Sequence, residues 1–207
     1  MRFKLKKIMR GKHLDYGTNN GHVTNKLFGH LREKLYISDL ENLVSSNNSN
    51  ISANFLFIDL NTSKLSEDIL NFDSASCIHV LEHVPQPNNV LAELHRQLKI
   101  GGLLYLETPN NRSIYIPSIS KGLTWNFYDD PTHIRPYPTN SLIRLCESNG
   151  FEIIASGIFR NKIYACSILI SPIISLILFD WRPIYYSLLH LIGFSSFVLC
   201  KKIDEKL

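Results

Sequence analysis

Hydrophobic and polar positions change their period sharply within residues 72–110. A run that alternates as a β-strand does is followed by apolar residues spaced three and four positions apart, which is the period of a helix, and then by a second apolar run. Gly101 and Gly102 are predicted to end the helix. A strand, a crossover helix and a strand of these lengths predict a βαβ unit with parallel strands. The predicted segments are a strand at 74–79, a polar loop at 79–84, a helix from 87 and a strand at 103–106.

Similar patterns continue on both sides of this unit and predict an α/β domain. Ligands of such domains lie at the carboxyl ends of parallel strands, so the residues that follow each strand are the candidates for chemistry. In the βαβ unit these are His79, Glu82, His83, Thr108 and Asn110. The remaining predicted strands end at 14 or cover 34–37, 55–58 and 151–159, and further helices begin at 23 and cover 141–149.

Length and composition favour one globular domain over residues 1–207, since 44% of the residues are hydrophobic and 19% are charged. The formal net charge is +4, and basic residues concentrate in residues 1–11. We interpret this segment as a solvated basic arm, with contact to anionic lipid or an acidic substrate as the alternative. No basic stripe interleaved with aromatic residues follows, so no nucleic-acid partner is predicted.

The four cysteines lie far apart and form no CxxC pair. Cys77, Cys166 and Cys200 stand in apolar strings, which predicts buried thiols in a reducing compartment. The basic start of the chain does not run into an apolar segment of the kind that signal peptides carry. We therefore expect a cytoplasmic protein.

A turn with two glycines follows the first predicted strand. Gly17 and Gly21 allow a sharp turn and a close approach of the backbone to a ligand, and Asp15 can receive an ammonium group. An ordinary strand-to-helix turn is an equally good interpretation of this pattern alone.

His79, Glu82 and His83 form an HxxEH string, which some zinc peptidases carry. That chemistry needs all the ligands on one helix face. Here the string follows a strand and Pro85 comes two residues later, so we exclude a zinc peptidase.

Several segments together resemble the class I S-adenosylmethionine-dependent methyltransferases, in the branch that includes ubiquinone-pathway and sugar O-methyltransferases. The resemblance covers residues 12–159, and a second, weaker region of resemblance lies near Lys201. It implies a Rossmann-like fold with a seven-stranded, mostly parallel sheet, helices on both faces and an antiparallel last strand. It also implies a methyltransferase with S-adenosylmethionine as cofactor. The segments that carry it are Phe72-Asp73, Leu81-Glu82-His83-Val84, residues 93–99 with Gly101-Gly102, and Thr108-Pro109-Asn110.

The same resemblance implies cofactor contacts. Asp39, 18 residues after Gly21, has the placement of the acid that binds the ribose hydroxyls, although it could instead cap a helix. Asp59 would bind the adenine amino group while Leu60 packs on the ring, and His79 would flank the methionine part. Asn19 stands where the family has its middle glycine, and asparagine tolerates φ > 0 best after glycine. The implied cofactor-binding residues are Asp15, Gly17, Asn19, Gly21, Asp39, Asp59, Leu60 and His79.

Ubiquinone-pathway enzymes of this kind bind a divalent metal in the loop that matches residues 79–84. Glu82 and His83 match, but His79 stands where a glutamate is usual, so no metal is predicted. We expect Glu82 and His83 to hold the loop through hydrogen bonds.

Residues 122–137 are aromatic, polar and broken by prolines, which predicts a substrate loop. Within it, residues 129–135 resemble the histidine-bearing segment of sugar and quinone methyltransferases. His133 is therefore our candidate general base, with anchoring of the loop as the alternative. Arg135 could hold a phosphate or a carboxylate, and Trp125 and Tyr128 could pack on a ring. The predicted acceptor is a small molecule, a sugar or a lipid-linked compound.

Residues 163–179 carry no charge, and Pro172 interrupts them. A membrane span would separate the last two strands, so we predict instead an apolar helical insertion over residues 160–192. We expect the insertion to pack on the domain or to cover the substrate, with peripheral membrane contact or a homodimer face as the alternatives. For the whole chain, a non-catalytic methyltransferase-like binding module or a membrane-associated scaffold is the alternative to an enzyme.

Overall fold

A seven-stranded sheet forms the centre of the protein. The computed structural model describes residues 2–40, 52–58, 64–65, 71–118 and 126–204. The strands are β1 (His13–Tyr16), β2 (Leu35–Asp39), β3 (Asn54–Phe57), β4 (Phe72–Ile78), β5 (Leu98–Pro109), β6 (Phe151–Phe159) and β7 (Ser195–Lys202). Their order is β3-β2-β1-β4-β5-β7-β6. Only the pairs that β7 makes with β5 and β6 are antiparallel among these strands, which confirms the predicted fold class.

Helices cover both faces of the sheet. One face packs against α3 and α4, and the other packs against α1 and α2. The predicted insertion before β7 is helical, as expected, and contains α5, α6 and α7. The helices are α1 (Arg2–Ile8), α2 (His22–Phe28), α3 (Pro87–Gln97), α4 (Thr139–Glu147), α5 (Lys162–Cys166), α6 (Ser171–Leu178) and α7 (Arg182–Ile192), with 3-10 turns at Gly29–Lys34, Leu81–His83, Asn111–Tyr115, Phe127–Asp129 and Ser167–Leu169.

Helix α3 buries the apolar face that its spacing predicts, including Val90, Leu91 and Leu94. It ends at Gln97, however, and not at the glycine pair. Leu98 is already extended and pairs with Phe72 of β4, so strand β5 begins before the glycine pair. Gly101 and Gly102 lie inside β5, where Gly101 has φ +78°.

The N-terminal segment differs from the expected solvated arm. Residues 2–8 form α1, and Leu5 and Met9 are fully buried against Phe28 and Leu35. Leu5 and Met9 are four positions apart and therefore lie on one side of the chain, while the lysines lie between them. The basic segment is thus a helix that extends the core on this face of the sheet.

The cysteine prediction is wrong at one position. Cys77 and Cys200 are buried, as is Cys146, but Cys166 is exposed because it lies at the end of α5 on the outer side of the insertion. Among the described residues, no helix combines the length and the apolar content needed to cross a bilayer.

Candidate active site

The turn after β1 places three residues in the left-handed region. Gly17, Asn19 and Gly21 have φ of +77°, +53° and +75°. Asn19 therefore adopts the conformation that a glycine would adopt, as predicted. Gly17 and Thr18 donate their N–H groups to the carbonyl of Ser38, at 2.8 and 3.0 Å, which joins the turn to β2.

Asp39, the last residue of β2, lies against this turn. Its carboxylate accepts the N–H of Asn19 and, at 2.8 Å, the N–H of Leu40. These two bonds fix the carboxylate at the carboxyl edge of the sheet, where the sequence analysis expects the ribose of the cofactor.

A cavity of about 320 Å³ opens between the turn and the loop after β4. Its wall is mainly apolar, with Asp39 and His79 as the ionisable groups near the turn and His83 beside Val84 and Pro85. A Cβ on Gly17 would lie 2.3 Å from Cγ2 of Val80, so only glycine fits at this position. The lining residues are Tyr16, Gly17, Asn19, Asp39, Leu40, Ile58, His79, Val80, His83, Val84 and Pro85.

Asp15 does not line this cavity. It is buried beneath the turn, and its carboxylate accepts hydrogen bonds from the hydroxyls of Thr24 and Ser76. Burial, which disfavours the charged form, raises the pKa of Asp15 to about 6. The predicted contact with an ammonium group stays a prediction.

His13 completes this buried network. Its Nε2 and Nδ1 atoms lie 3.0 and 2.8 Å from the hydroxyls of Ser76 and Ser74. Burial lowers the pKa of His13 to about 3, with the charge of His30 as a smaller cause. The imidazole is therefore neutral when the protein is folded.

We expect His13→Gln to change how the free energy of unfolding depends on pH. An unfolded histidine binds a proton below about pH 6.5, whereas buried His13 does not. His13 therefore lowers the free energy of unfolding of the wild type by about 1.4 kcal/mol for each pH unit below that value. Asp15 acts in the opposite direction between about pH 4 and 6, because its raised pKa favours folding at the lower pH. Urea unfolding at several pH values gives the free energy of unfolding of the wild type and of the variant as a function of pH. The slopes of these two curves should differ by the contribution of His13. Parallel curves would contradict the burial of a neutral His13.

His79 stands between two buried carboxylates. Its Nδ1 lies 3.2 Å from Oε1 of Glu82, and its Nε2 lies 3.9 Å from Oε1 of Glu107. Its φ is +57°, which is uncommon for a residue with a side chain and is found mostly where surrounding contacts over-determine the backbone.

A second cavity, of about 390 Å³, lies on the other side of His79. The two cavities share Asn19, His79 and His83 in their walls. The two cavities are therefore adjacent, and these three residues border both of them. The second cavity is lined by Asn19, Val23, His79, Glu82, His83, Pro109, Asn126, Phe127, Asp130, His133 and Phe194.

His133 lies in the wall of the second cavity and is oriented by backbone. Its Nδ1 lies 2.6 Å from the carbonyl oxygen of Phe127, so Nδ1 carries the proton that this bond requires. The ring is stacked on that of Phe127, with the centroids 4.7 Å apart. Nε2 is left as the acceptor in the neutral ring, and it lies 3.9 Å from Oδ2 of Asp130. Hydrogen bonds from Thr132, together with the neighbouring histidines, hold the pKa of Asp130 below its usual range.

Glu82 and His83 hold the loop after β4, as expected. Glu82 accepts a bond from Thr108 (2.9 Å), and its carbonyl accepts the N–H of Ile134 at 2.7 Å. Nδ1 of His83 lies 2.8 Å from the hydroxyl of Thr132. Glu82, His83 and His133 bring one donor atom each within 4.8 Å of one another, a grouping that could hold a cation. The predicted absence of a metal stays a prediction.

Some predicted residues lie elsewhere. Arg135 donates from its guanidinium to the carbonyl of Pro85, at 2.9 Å, and so joins the substrate segment to the loop after β4. Asp59, Leu60 and Trp125 lie outside the described residues. Two contributors were not predicted, Val80 beside Gly17 and Asp130 beside His133. Asp130 stands in the segment that the sequence singled out, whereas nothing in the sequence indicated Val80.

The sheet order defines a Rossmann-like domain, and two adjoining cavities lie at the carboxyl edge of its sheet. A family model described as "Methyltransferase domain" matches residues 1–156. A ubiquinone biosynthesis O-methyltransferase of Colwellia psychrerythraea is 33% identical over 108 residues, which are 48% of this chain and 43% of that protein. One of Coxiella burnetii is 27% identical over 159 residues, 70% of this chain and 66% of that protein.

Solved structures agree on the fold. A structure of an S-adenosylmethionine-dependent methyltransferase from Archaeoglobus fulgidus has a TM-score of 0.64 at 20% identity, over 98% of this chain and 95% of that one. The chain belongs to the class I S-adenosylmethionine-dependent methyltransferase family, as the sequence predicted. It spans less than two thirds of the length of the two curated relatives named above.

Proposed function

We propose that the protein transfers a methyl group from S-adenosylmethionine to a hydroxyl group of an acceptor. The observation that carries this proposal is the meeting of two cavities at Asn19, His79 and His83. Methyl transfer needs a cofactor and an acceptor in contact and in line, and most of its acceleration comes from proximity and orientation.

The residues of the first cavity fit S-adenosylmethionine, which supplies an activated methyl group when bound. Gly17 and Asn19 shape the turn that borders the cavity, because a Cβ on Gly17 would collide with Val80 and Asn19 takes a positive φ. Asp39 would hold the ribose hydroxyls. Asp59 and Leu60 would take the adenine, and His79 would flank the methionine part.

His133 would act as the general base. With its proton on Nδ1, it can accept the hydroxyl proton of the acceptor at Nε2. Asp130 would then stabilise the imidazolium, since Oδ2 lies 3.9 Å from that nitrogen and the low pKa of Asp130 keeps it charged. Both side chains line the cavity that we assign to the acceptor.

The lining of the second cavity supports the proposed class of acceptor. Phe127 and Phe194 provide apolar surface for a ring or a chain, while Asn126 and Asp130 provide polar groups. This mixture supports a small molecule, a sugar or a lipid-linked compound with one hydroxyl near His133. The names of the ubiquinone-pathway relatives support an O-linked product.

Calorimetric titration with S-adenosylhomocysteine tests the cofactor site. We expect micromolar binding, and at least a tenfold loss, about 1.4 kcal/mol, in Asp39→Ala because the ribose hydroxyls lose their acceptor. Asp204→Ala, which removes an exposed carboxylate near the end of β7, is the control and should bind as the wild type does. A folded wild type that does not bind would favour the non-catalytic module or the scaffold instead.

A further inference from the structure

Helix α6 has its polar side turned inward. Ser171 and Ser175 are 1% and 8% exposed, whereas Leu176 and Ile177 on the same helix are 73% and 69% exposed. A helix on the surface of a water-soluble domain normally shows the opposite arrangement. The arrangement indicates that the outer side of α6 faces an apolar environment.

The hydroxyls of Ser167, Ser171 and Ser187 have hydrogen-bond partners inside the insertion, whereas the buried hydroxyls of Ser175 and Tyr185 have none among the described residues. Ser187 of α7 donates to the carbonyl of Pro183, at 2.8 Å, and its hydroxyl lies 2.7 Å from that of Ser167. Ser171 donates to the carbonyl of Ile168, at 3.3 Å. The bond between Ser167 and Ser187 joins the 3-10 turn before α6 to α7, while Leu176 and Ile177 of α6 stay exposed.

Exposed apolar side chains recur between residues 163 and 179, and we name this set the apolar crest. Its outermost members are Phe179, Leu169 and Ile163, with exposures of 95%, 83% and 80%. Exposed apolar surface of this extent marks a site of contact with a protein or a membrane. The crest consists of Ile163, Leu169, Ile173, Leu176, Ile177 and Phe179.

The border of the crest is aromatic and cationic. Lys162 precedes it, and Tyr164 and Trp181 stand at its two ends, both partly exposed. Asp180 is the only acidic residue between 160 and 192, and Arg182 binds its carboxylate at 2.6 Å. Tryptophan, tyrosine and basic side chains of this kind anchor proteins at the boundary between water and lipid.

The insertion that carries the crest begins and ends at the same edge of the sheet as the two cavities. β6 and β5 are both antiparallel to β7, so both end at the carboxyl edge, where the insertion begins. Ser195, the first residue after it in the sheet, pairs with Pro109. Pro109 and Phe194 line the second cavity, so the insertion borders the acceptor side of the site.

We propose that the apolar crest docks the protein peripherally on an anionic lipid bilayer. Anionic headgroups complement the cationic border, whereas a symmetric contact between two copies would bring the same cations together. The absence of a spanning helix in the described part of the chain agrees with docking on one leaflet. This inference goes beyond the proposed methyl transfer and does not depend on it.

Co-sedimentation with lipid vesicles tests the docking. The wild type should sediment with vesicles of equal parts phosphatidylcholine and phosphatidylglycerol, and less with phosphatidylcholine alone. Leu169→Glu combined with Leu176→Glu should bind at least about tenfold more weakly, because two apolar contacts are replaced by charges that anionic lipid repels. Both positions are exposed, so the variant should fold.

Ile100→Glu is the matched control. Ile100 is 65% exposed at the start of β5, at the opposite edge of the sheet, and its replacement should leave vesicle binding unchanged. A wild type that stays in the supernatant with the anionic vesicles overturns the proposal. Light scattering would then distinguish a dimer that covers the crest from a monomer, and either result leaves the proposal overturned. Equal losses in the control and the double variant would also overturn it.

Discussion

His133→Gln is expected to lower kcat by about 10²- to 10⁴-fold, which is the usual contribution of a positioned general base. Glutamine can keep the hydrogen bond to the carbonyl of Phe127, but its amide does not accept the proton of the acceptor hydroxyl. Transfer of labelled methyl from S-adenosylmethionine to an acceptor found by screening measures this effect.

The binding of S-adenosylhomocysteine separates this role from a structural one. His133 lines only the second of the two cavities, so the variant should bind the cofactor product as the wild type does. His30→Gln, a change at an exposed histidine outside both cavities, should keep full activity. If His133→Gln were as active as the wild type, the imidazole would serve only to anchor its segment to Phe127.

The parallel part of the fold could be predicted because its elements differ in period and are separated by residues that break them. β6 was predicted at 151–159 and is found there, since Gly150 precedes a clean alternation. The βαβ unit around α3 was recognised for the same reason. The antiparallel position of β7 was expected only from the resemblance to a family, because no local pattern distinguishes the two directions.

Errors arose where a contact distant in sequence decided the outcome. The glycine pair indicated the end of α3, but the pairing of Leu98 with Phe72 ends the helix earlier. The lysines of α1 suggested a solvated arm, although Leu5 and Met9 fit a groove beside Phe28. Cys166 was expected to be buried because its neighbours are apolar, yet those neighbours are themselves exposed.

The edge of the sheet at which the two cavities lie could be predicted from sequence, but the geometry of their walls could not. The left-handed conformation of Asn19 follows from residue chemistry, and the structure confirms it. The burial of Asp15 depends on the register of β1 and β4, which places it opposite Ser76. The sequence carries no signal for that register. The roles assigned to Asp39, His79 and His133 stay predictions.

Gly17→Ala is expected to weaken the binding of S-adenosylhomocysteine by about 10- to 100-fold, or about 1.4 to 2.7 kcal/mol. Two effects act together. The residue has φ +77°, where an alanine is strained, and the new Cβ would lie 2.3 Å from Cγ2 of Val80, whose β-branched side chain has little freedom to move. Either the turn or the loop after β4 must shift, and both line the cofactor cavity. Calorimetric titration measures the loss, and circular dichroism checks that the variant is folded.

Two companion variants distinguish the clash from the backbone strain. Val80→Ala combined with Gly17→Ala removes the clash, so it should recover part of the affinity but not the part lost to the strained φ. Asn19→Gly changes a neighbouring left-handed position without either penalty, because glycine adopts φ +53° freely, and it should bind within a few-fold of the wild type. Gly17→Ala could instead bind S-adenosylhomocysteine as tightly as Asn19→Gly does. The close approach of this turn to Val80 would then have no part in cofactor binding. The assignment of the first cavity to the cofactor would lose its main geometric support.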